Sequence, residues 1–343
     1  MGQKSNANIL PILFLYCSMM AACGLSKPLH EQTNTVSPTI ETIIEPYNTP
    51  IITSSEEPQI FPTQTLTQTP VPISSWNQGK IAYLTTVGSK SILNLFDLTN
   101  YSTTQLASTN DELGFLGLSF SLDGNYLAYY AYPKDMYVIQ TGMDHYSQYV
   151  ANCQAPSFSR DGSQIICVSP ELRIILINSA NGSLIKQINQ SKPAGLVDFS
   201  KVNDQIVFTV RDEKNTQIWK TSINSEEPVL LAGDATENYV PTWSPDGNYI
   251  AYQSNDGSTN SEIWIMDSDG NNKQRITYSP NNGWSRGPAW SPDGQYLAYV
   301  SNQNGSIDPD MGEVFIVSVV TREVSQLTNT GGKVYDWKVA WGR

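Results

Sequence analysis

The sequence predicts an all-β protein built from one four-stranded unit, repeated six times and closed into a ring. Three observations predict it. First, an aromatic residue followed by a small one recurs at Phe120-Ser121, Phe158-Ser159, Phe199-Ser200, Trp243-Ser244, Trp290-Ser291 and Trp341-Gly342. The steps between the aromatics are 38, 41, 44, 47 and 51 residues. Second, four of these pairs run into an Asp-Gly turn, as "SLDG", "SRDG" and two copies of "SPDG", while a fifth, "SKVNDQ", is degraded. Third, the chain stops at "VYDWKVAWGR", where a unit opens, and its ordered part begins with the other three strands of a unit. Self-similarity at such a period marks a repeat architecture.

Each element follows from local chemistry. In "SPDG", Pro suits the second position of a tight turn, Asp bonds its own backbone and Gly accepts positive φ, so the tetrapeptide makes a hairpin. After each turn comes an apolar strand: "YLAYYA", "QIICVS", "QIVFTV", "YIAYQS", "YLAYVS". A second follows ("MYVIQT", "RIILIN", "QIWKTS", "EIWIMD", "VFIVSV"), then a shorter third such as "PVLLAG" or "VSQLT". Many of these strands are apolar at consecutive positions, which suits a sheet covered on both faces. A blade of a propeller, sandwiched between neighbours, is such a sheet. The expected architecture is therefore a six-bladed β-propeller of four-stranded antiparallel blades over residues 76–343. Complete units begin near 113, 153, 194, 238 and 284. The sixth blade joins the C-terminal strand to "GKIAYLTT", "ILNLFDL" and "TTQLAS" from the N-terminal side, which removes the open sheet edges.

Residues 1–22 have the layout of a signal peptide: a short start with one Lys, then the apolar run "ILPILFLYCSMMAA". That run is too short to span a bilayer. It ends at Met20-Ala21-Ala22-Cys23, which resembles a bacterial lipobox, with Met20 where Leu is usual. The resemblance implies that Cys23 becomes the N-terminus and carries lipid, so that the membrane partner is reached by the anchor alone. Each buried CH₂ of such an anchor contributes about 0.8 kcal/mol. Gly24 at the next position does not signal retention at the inner membrane. Residues 23–75 read as a disordered spacer: ten Thr, eight Pro and only Tyr47 and Phe61 as aromatics between 24 and 75 cannot bury enough surface to order themselves. As a coil this segment reaches roughly 40 Å.

The stretches "PTWSPDGNYIAY", followed by "IWIMDSDG", and "PAWSPDGQYLAYVSN" resemble the repeats of TolB-like (WD-like) β-propellers. The resemblance covers about 80–343, is strong in the last two units and faint in the unit opening near 194. It implies the fold more than the function, because such folds host many activities.

Composition narrows the function. A net charge of −12 argues against nucleic acid and against docking on anionic lipid. Beyond the signal segment the only histidines are His30, in the spacer, and His145. A Ser-His-Asp hydrolase has no suitable base, no G-x-S-x-G elbow occurs and no residues remain for a hydrolase domain. A site of two carboxylates alone stays open. Asp246 and Asp293 read as turn residues rather than acids or ligands, and Trp243 and Trp290 as packing between blades. No Cys/His metal spacing exists. The oxygen-rich "DSDGNN" (Asp267, Asp269, Asn271) and "SIDPDMGE" (Asp308, Asp310, Glu313) do not match an EF-hand. No cofactor is expected. Cys153 and Cys167 are an even pair in an exported chain and form either a disulfide or two buried thiols. The longer loops join blades and join second to third strands, on the face opposite the Asp-Gly turns. The sequence therefore predicts a monomeric, non-enzymatic envelope lipoprotein that binds a protein or peptide on that face, through Tyr239, Trp284, Arg286, Asp308, Asp310 and Tyr335. A carbohydrate-binding or carbohydrate-cleaving surface protein is the alternative.

Overall fold

Short apolar runs between Gly- and Asp-containing turns form twenty-five strands and no helix among the described residues. The structure, a computed structural model, describes residues 78–87, 90–109, 115–131, 135–142, 147–188, 190, 192–225, 227–233, 237–255, 260–280, 283–303, 311–331, 334–335 and 339–343. All belong to the second of two units, Val71–Arg343. The expectations for Cys23, the signal segment and the 23–75 spacer lie outside the described residues.

Five blades are consecutive in sequence. Blade 1 is β4 (Phe115–Phe120), β5 (Tyr126–Ala131), β6 (Asp135–Gln140) and β7 (Ser147–Ala151). Blade 2 is β8 (Gln154–Phe158), β9 (Gln164–Val168), β10 (Ile174–Asn178) and β11 (Leu184–Gln187). Blade 3 is β12 (Ala194–Phe199), β13 (Gln205–Arg211), β14 (Thr216–Ser222) and β15 (Val229–Ala232). Blade 4 is β16 (Asn238–Trp243), β17 (Tyr249–Ser254), β18 (Glu262–Asp267) and β19 (Gln274–Arg275). Blade 5 is β20 (Ser285–Trp290), β21 (Tyr296–Ser301), β22 (Met311–Ser318) and β23 (Val324–Gln326). The sixth blade is composite: β25 (Ala340–Gly342) pairs with β1 (Lys80–Val87), which pairs with β2 (Lys90–Asp97) and then β3 (Ser102–Thr109). The ring-closing register is Lys80↔Gly342, Ile81↔Trp341 and Ala82↔Ala340. One strand was not expected. β24 (Val334–Tyr335) pairs with both β22 and β1, merging blade 5 and the composite blade into one nine-stranded sheet.

The first strand of each consecutive blade carries a bulge three or so residues before its aromatic. Register shifts fall between Leu116/Leu118, Gln154/Ser157, Ala194/Val197, Tyr239/Thr242 and Arg286/Ala289. Ala155 and Val240 adopt positive φ there, of 53° and 49°, as do Gly117 and Gly287. Pro156, Pro241 and Pro288 sit beside three of these bulges, where a missing N–H costs no ladder bond. The bulge bends the innermost strand along the ring axis.

Side chains fill the seams between blades. Trp243, Ile250, Tyr252 and Met266 of blade 4 pack with Val207, Ile218 and Leu231 of blade 3. Trp290, Leu297, Tyr299 and Phe315 of blade 5 pack with Ala251, Ile263 and Ile265 of blade 4. Trp341, Ile81 and Tyr83 of the composite blade pack with Trp284, Val300 and Val314 of blade 5. The repeated aromatics are therefore wedges between blades. Truncating one to Ala should cost about 3–5 kcal/mol.

Cys153, just before β8, and Cys167, in β9, form a disulfide with Cα atoms 5.9 Å apart. Both are buried in the seam between blades 1 and 2, with Met136 and Phe158 in the same cluster.

Two outcomes are expected. A Cys153→Ser/Cys167→Ser chain should unfold at lower denaturant, by about 3 kcal/mol for a loop of this size. Gly342→Val should lower the melting temperature sharply, because even a Cβ at 342 would lie 2.6 Å from the Phe120 ring of blade 1. An unchanged melt would contradict the closure geometry.

Candidate functional site

The hairpin face consumes its own carboxylates. In four blades the Ser after the aromatic donates to the turn Asp: Ser121 to Asp123 at 2.5 Å, Ser159 to Asp161 at 2.7 Å, Ser244 to Asp246 at 2.6 Å and Ser291 to Asp293 at 2.6 Å. The same Ser Oγ accepts the amide of the residue that resumes the strand, as Tyr126, Gln164, Tyr249 and Tyr296 show at 2.9–3.1 Å. The Ser121 and Ser159 hydroxyls hold Asp123 and Asp161 below the usual carboxylate range. For Asp246 partial burial pushes upward, and the bonds from Ser244 and Asn248 outweigh it. These three groups are ionised acceptors at neutral pH, unsuited to acid catalysis. Asp267 likewise accepts from Asn271 N at 2.8 Å and Asn272 Nδ2 at 2.9 Å, and Asp269 pairs with Lys220 at 2.8 Å. Among the described residues no group of three or more His, Cys, Asp or Glu is placed to hold a metal ion.

The channel wall is stitched from blade to blade by the residue preceding each aromatic. Phe158 N donates to Ser119 Oγ (3.3 Å), Phe199 N to Ser157 Oγ (3.1 Å) and Trp243 N to Asp198 Oδ2 (2.8 Å). Asp198 also accepts from Ser157 Oγ at 2.7 Å and Thr242 Oγ1 at 3.2 Å, so one buried carboxylate spans blades 2, 3 and 4. The next seam uses Trp290 Nε1, donating to Thr242 O at 3.1 Å. At the equivalent positions blade 5 and the composite blade have Ala289 and Ala340. The channel thus has a polar arc and an apolar arc. Its hairpin end is a funnel of about 100 Å³, walled by Phe120, Trp243, Trp290 and Trp341 among others.

The opposite, long-loop face is braced by acids, two of them buried. Glu262 is 2% exposed and accepts from Arg275 (2.8 Å), Thr277 Oγ1 (2.5 Å) and Ser279 N (2.6 Å). Glu313 repeats the device one blade on, with Thr328 Oγ1 at 2.5 Å and Thr330 N at 2.6 Å. Between blades 3 and 4, Glu237 accepts from Thr216 N (3.0 Å), Tyr239 Oη (2.6 Å) and Arg211 (3.3 Å). Each brace fixes the base of a blade-to-blade connection. In the one joining blades 4 and 5, Ser279 and Ser285 hydroxyls also meet at 2.9 Å.

The residues named from sequence fare differently here. Tyr239 and Trp284 are buried, at 7% and 5% exposure. Tyr239 serves the Glu237 brace, and the Trp284 ring joins the core beside the composite blade. Arg286, half-buried in β20, lies over the Trp284 ring at 4.4 Å. Asp308 and Asp310 lie outside the described residues, and of Tyr335 only the backbone, in β24, is described. Two features escaped sequence reasoning. The braces were legible as a recurrence, Glu262 with Thr277-x-Ser279 and Glu313 with Thr328-x-Thr330, at the same spacings of 15 and 17 residues. Tyr278, hidden inside the first of these, is 71% exposed and carries the Arg275 guanidinium 4.5 Å from its ring centre.

Comparisons with known proteins agree with this geometry. The chain's six-bladed β-propeller is similar to those of TolB proteins. It is 30% identical over 162 residues to the Tol-Pal system protein TolB of Francisella tularensis, a match covering 43% of this chain and 37% of that protein. The chain thus matches little more than a third of the length of these curated relatives. Its backbone superimposes on TolB from Acinetobacter baumannii with a TM-score of 0.64, at 19% identity, over 77% of this chain and 66% of that one. A putative TolB from Agrobacterium tumefaciens gives 0.61 at 20% identity, over 76% and 99%. At these identities the structures speak to fold. No protein-family model matches the chain.

Glu262→Ala should cost about 3 kcal/mol, since it strands several buried donors, whereas Asp269→Ala at the surface should leave unfolding unchanged. Ser159→Ala should move the Asp161 titration, followed by carboxyl NMR, up toward the ordinary value. Because the folded pKa lies below the unfolded one, the stabilisation is fully present above about pH 4 and fades as pH falls through the folded value.

Proposed function

We propose that this chain is a non-enzymatic, lipid-anchored protein of the cell envelope, whose propeller recognises a protein or peptide on its long-loop face. The observation that carries the reading is Tyr278. It is an exposed aromatic ring, stacked with Arg275, on a connection whose base is held by buried Glu262. Tyr and Arg supply most interface anchors, and a pre-ordered loop loses little entropy on binding. Arg286 over Trp284 lies just beyond the Ser279–Ser285 contact of the same connection. Asp308, Asp310 and Tyr335 remain proposed contributors to that face.

Three further points support the reading. The sequence relatives are Tol-Pal system proteins. The Cys153–Cys167 disulfide suits an oxidising compartment outside the cytoplasm. The chain enters the ring on the hairpin side, where Gln78 O accepts from Trp341 Nε1 at 3.5 Å and Lys80 pairs with Gly342. A tether attached there leaves the long-loop face unobstructed.

Capture of an envelope protein by cross-linking should weaken about tenfold or more with Tyr278→Ala, an exposed substitution that leaves the melt unchanged. Retained capture would remove Tyr278 from the interface, and glycan binding or product release instead would favour a carbohydrate role. Cys23→Ser should release the protein from membranes; a variant that stays bound would contradict the lipid anchor.

A further inference from the structure

One residue per blade stands at the hairpin mouth of the channel, directly after each aromatic–small pair: Leu122, Arg160, Lys201, Pro245, Pro292 and Arg343. All of these but Arg160 line the funnel. The turn aspartates, one residue further on, do not; Asp123, Asp161, Asp246 and Asp293 are each tied to the Ser of their own turn. The carboxylate that does line the funnel is Asp198, and its oxygens already accept from Ser157 Oγ, Thr242 Oγ1 and Trp243 N. In a chain of net charge −12, this cavity is therefore one that two cations border.

Both cations are held in place. Lys201 is half-buried, and its ammonium donates to Phe158 O across the seam between blades 2 and 3 instead of extending into water. The backbone of Arg343 lies against the first turn of blade 1: a Cβ on Gly124, where φ is 73°, would come 2.3 Å from Arg343 O. Lys201 and Arg343 belong to blade 3 and the composite blade, which are opposite one another in a ring of six. The flanks between them are apolar. Blades 4 and 5 supply Trp243, Pro245, Trp290 and Pro292 on one side, and blade 1 supplies Phe120 and Leu122 on the other.

Cations across the axis and apolar walls between them define the chemistry of an occupant. A carboxylate leaving water needs charge-assisted donors, which Lys and Arg provide. Aromatic walls take up an apolar body. An inorganic anion would use the cations and leave the walls unpaired, and a neutral apolar molecule would do the reverse. A volume of about 100 Å³ has room for one ring or a short branched chain.

We propose that the hairpin end of the channel is a binding site for a small organic carboxylate. Arg343 and Lys201 pair with its charge, and its apolar body lies against Trp243 and Trp290. The site is on the face opposite the one proposed to take a protein, and it does not depend on that reading.

The test titrates the full chain with benzoate and follows the indole N–H resonances of Trp290 and Trp341. Benzoate should shift them saturably, and benzamide, its neutral counterpart, should bind about tenfold more weakly. Arg343→Gln and Lys201→Gln should each weaken benzoate about tenfold, the loss of one charge-assisted bond. Arg160→Gln removes an equal charge from a neighbouring turn outside the lining, and should change binding by less than about twofold because exposed charges are screened. Matched melting curves exclude a loosened ring. Any one of four results would overturn the proposal: no saturable shift, equal affinity for benzamide, the same shifts with inorganic phosphate alone, or losses with Arg343→Gln and Lys201→Gln no larger than with Arg160→Gln.

Discussion

Everything in this domain depends on three residue pairs. β25 contributes only Ala340, Trp341 and Gly342 to the sixth blade, yet that pairing joins the two ends of the ring. A ring of blades has no core of its own; each seam is the core of two neighbours. An unclosed seam would expose the Trp341 cluster on one side and the Phe120 cluster on the other. β24 reinforces the same seam by pairing with blade 5 and with β1. Closure also explains why the outermost strands can be short, at two to four residues in blades 2 to 5: with the inner edges covered, little is left to pair with strangers.

Closure creates a second demand, because six innermost strands face a channel with no sheet partner. Their amides need acceptors, and side chains from the preceding blade provide them. Ser119, Ser157 and Asp198 do so in turn, and Asp198 reaches furthest because its side chain accepts from three donors. The long-loop face solves the same problem with Glu237, Glu262 and Glu313. These carboxylates are therefore braces that hold backbone, and the proposed recognition falls to exposed groups standing on them, Tyr278 above all. The acids that the sequence made conspicuous, in the Asp-Gly turns, brace backbone in the same way.

The ring was readable from sequence because its determinants are local and repeated. The Ser–Asp–Gly turn chemistry and the aromatic wedge each occupy a few adjacent residues. Blade boundaries followed to within two residues at every consecutive blade: 113, 153, 194, 238 and 284 were expected, against strands opening at Phe115, Gln154, Ala194, Asn238 and Ser285. β24 was not readable, since two residues carry no periodicity. Aromatics near loops suggest an exposed face, but Trp284 is buried in the seam beside the composite blade and Tyr239 is buried with its hydroxyl on Glu237. Tyr278 is not legible in the sequence, because nothing in "RITYS" distinguishes an outward ring from an inward one. That distinction is set by the Glu262 brace, fifteen residues away from Thr277.

The claim that one short pairing holds the whole ring is tested most directly by native-state hydrogen exchange at the closing pairs, Lys80 to Ala82 and Ala340 to Gly342, compared with the central strands of blade 3. The account predicts that the closing amides share the slow exchange and the denaturant dependence of blade 3, because opening the seam unfolds the ring. Fast, denaturant-independent exchange at the closing pairs, with blade 3 still protected, would contradict it.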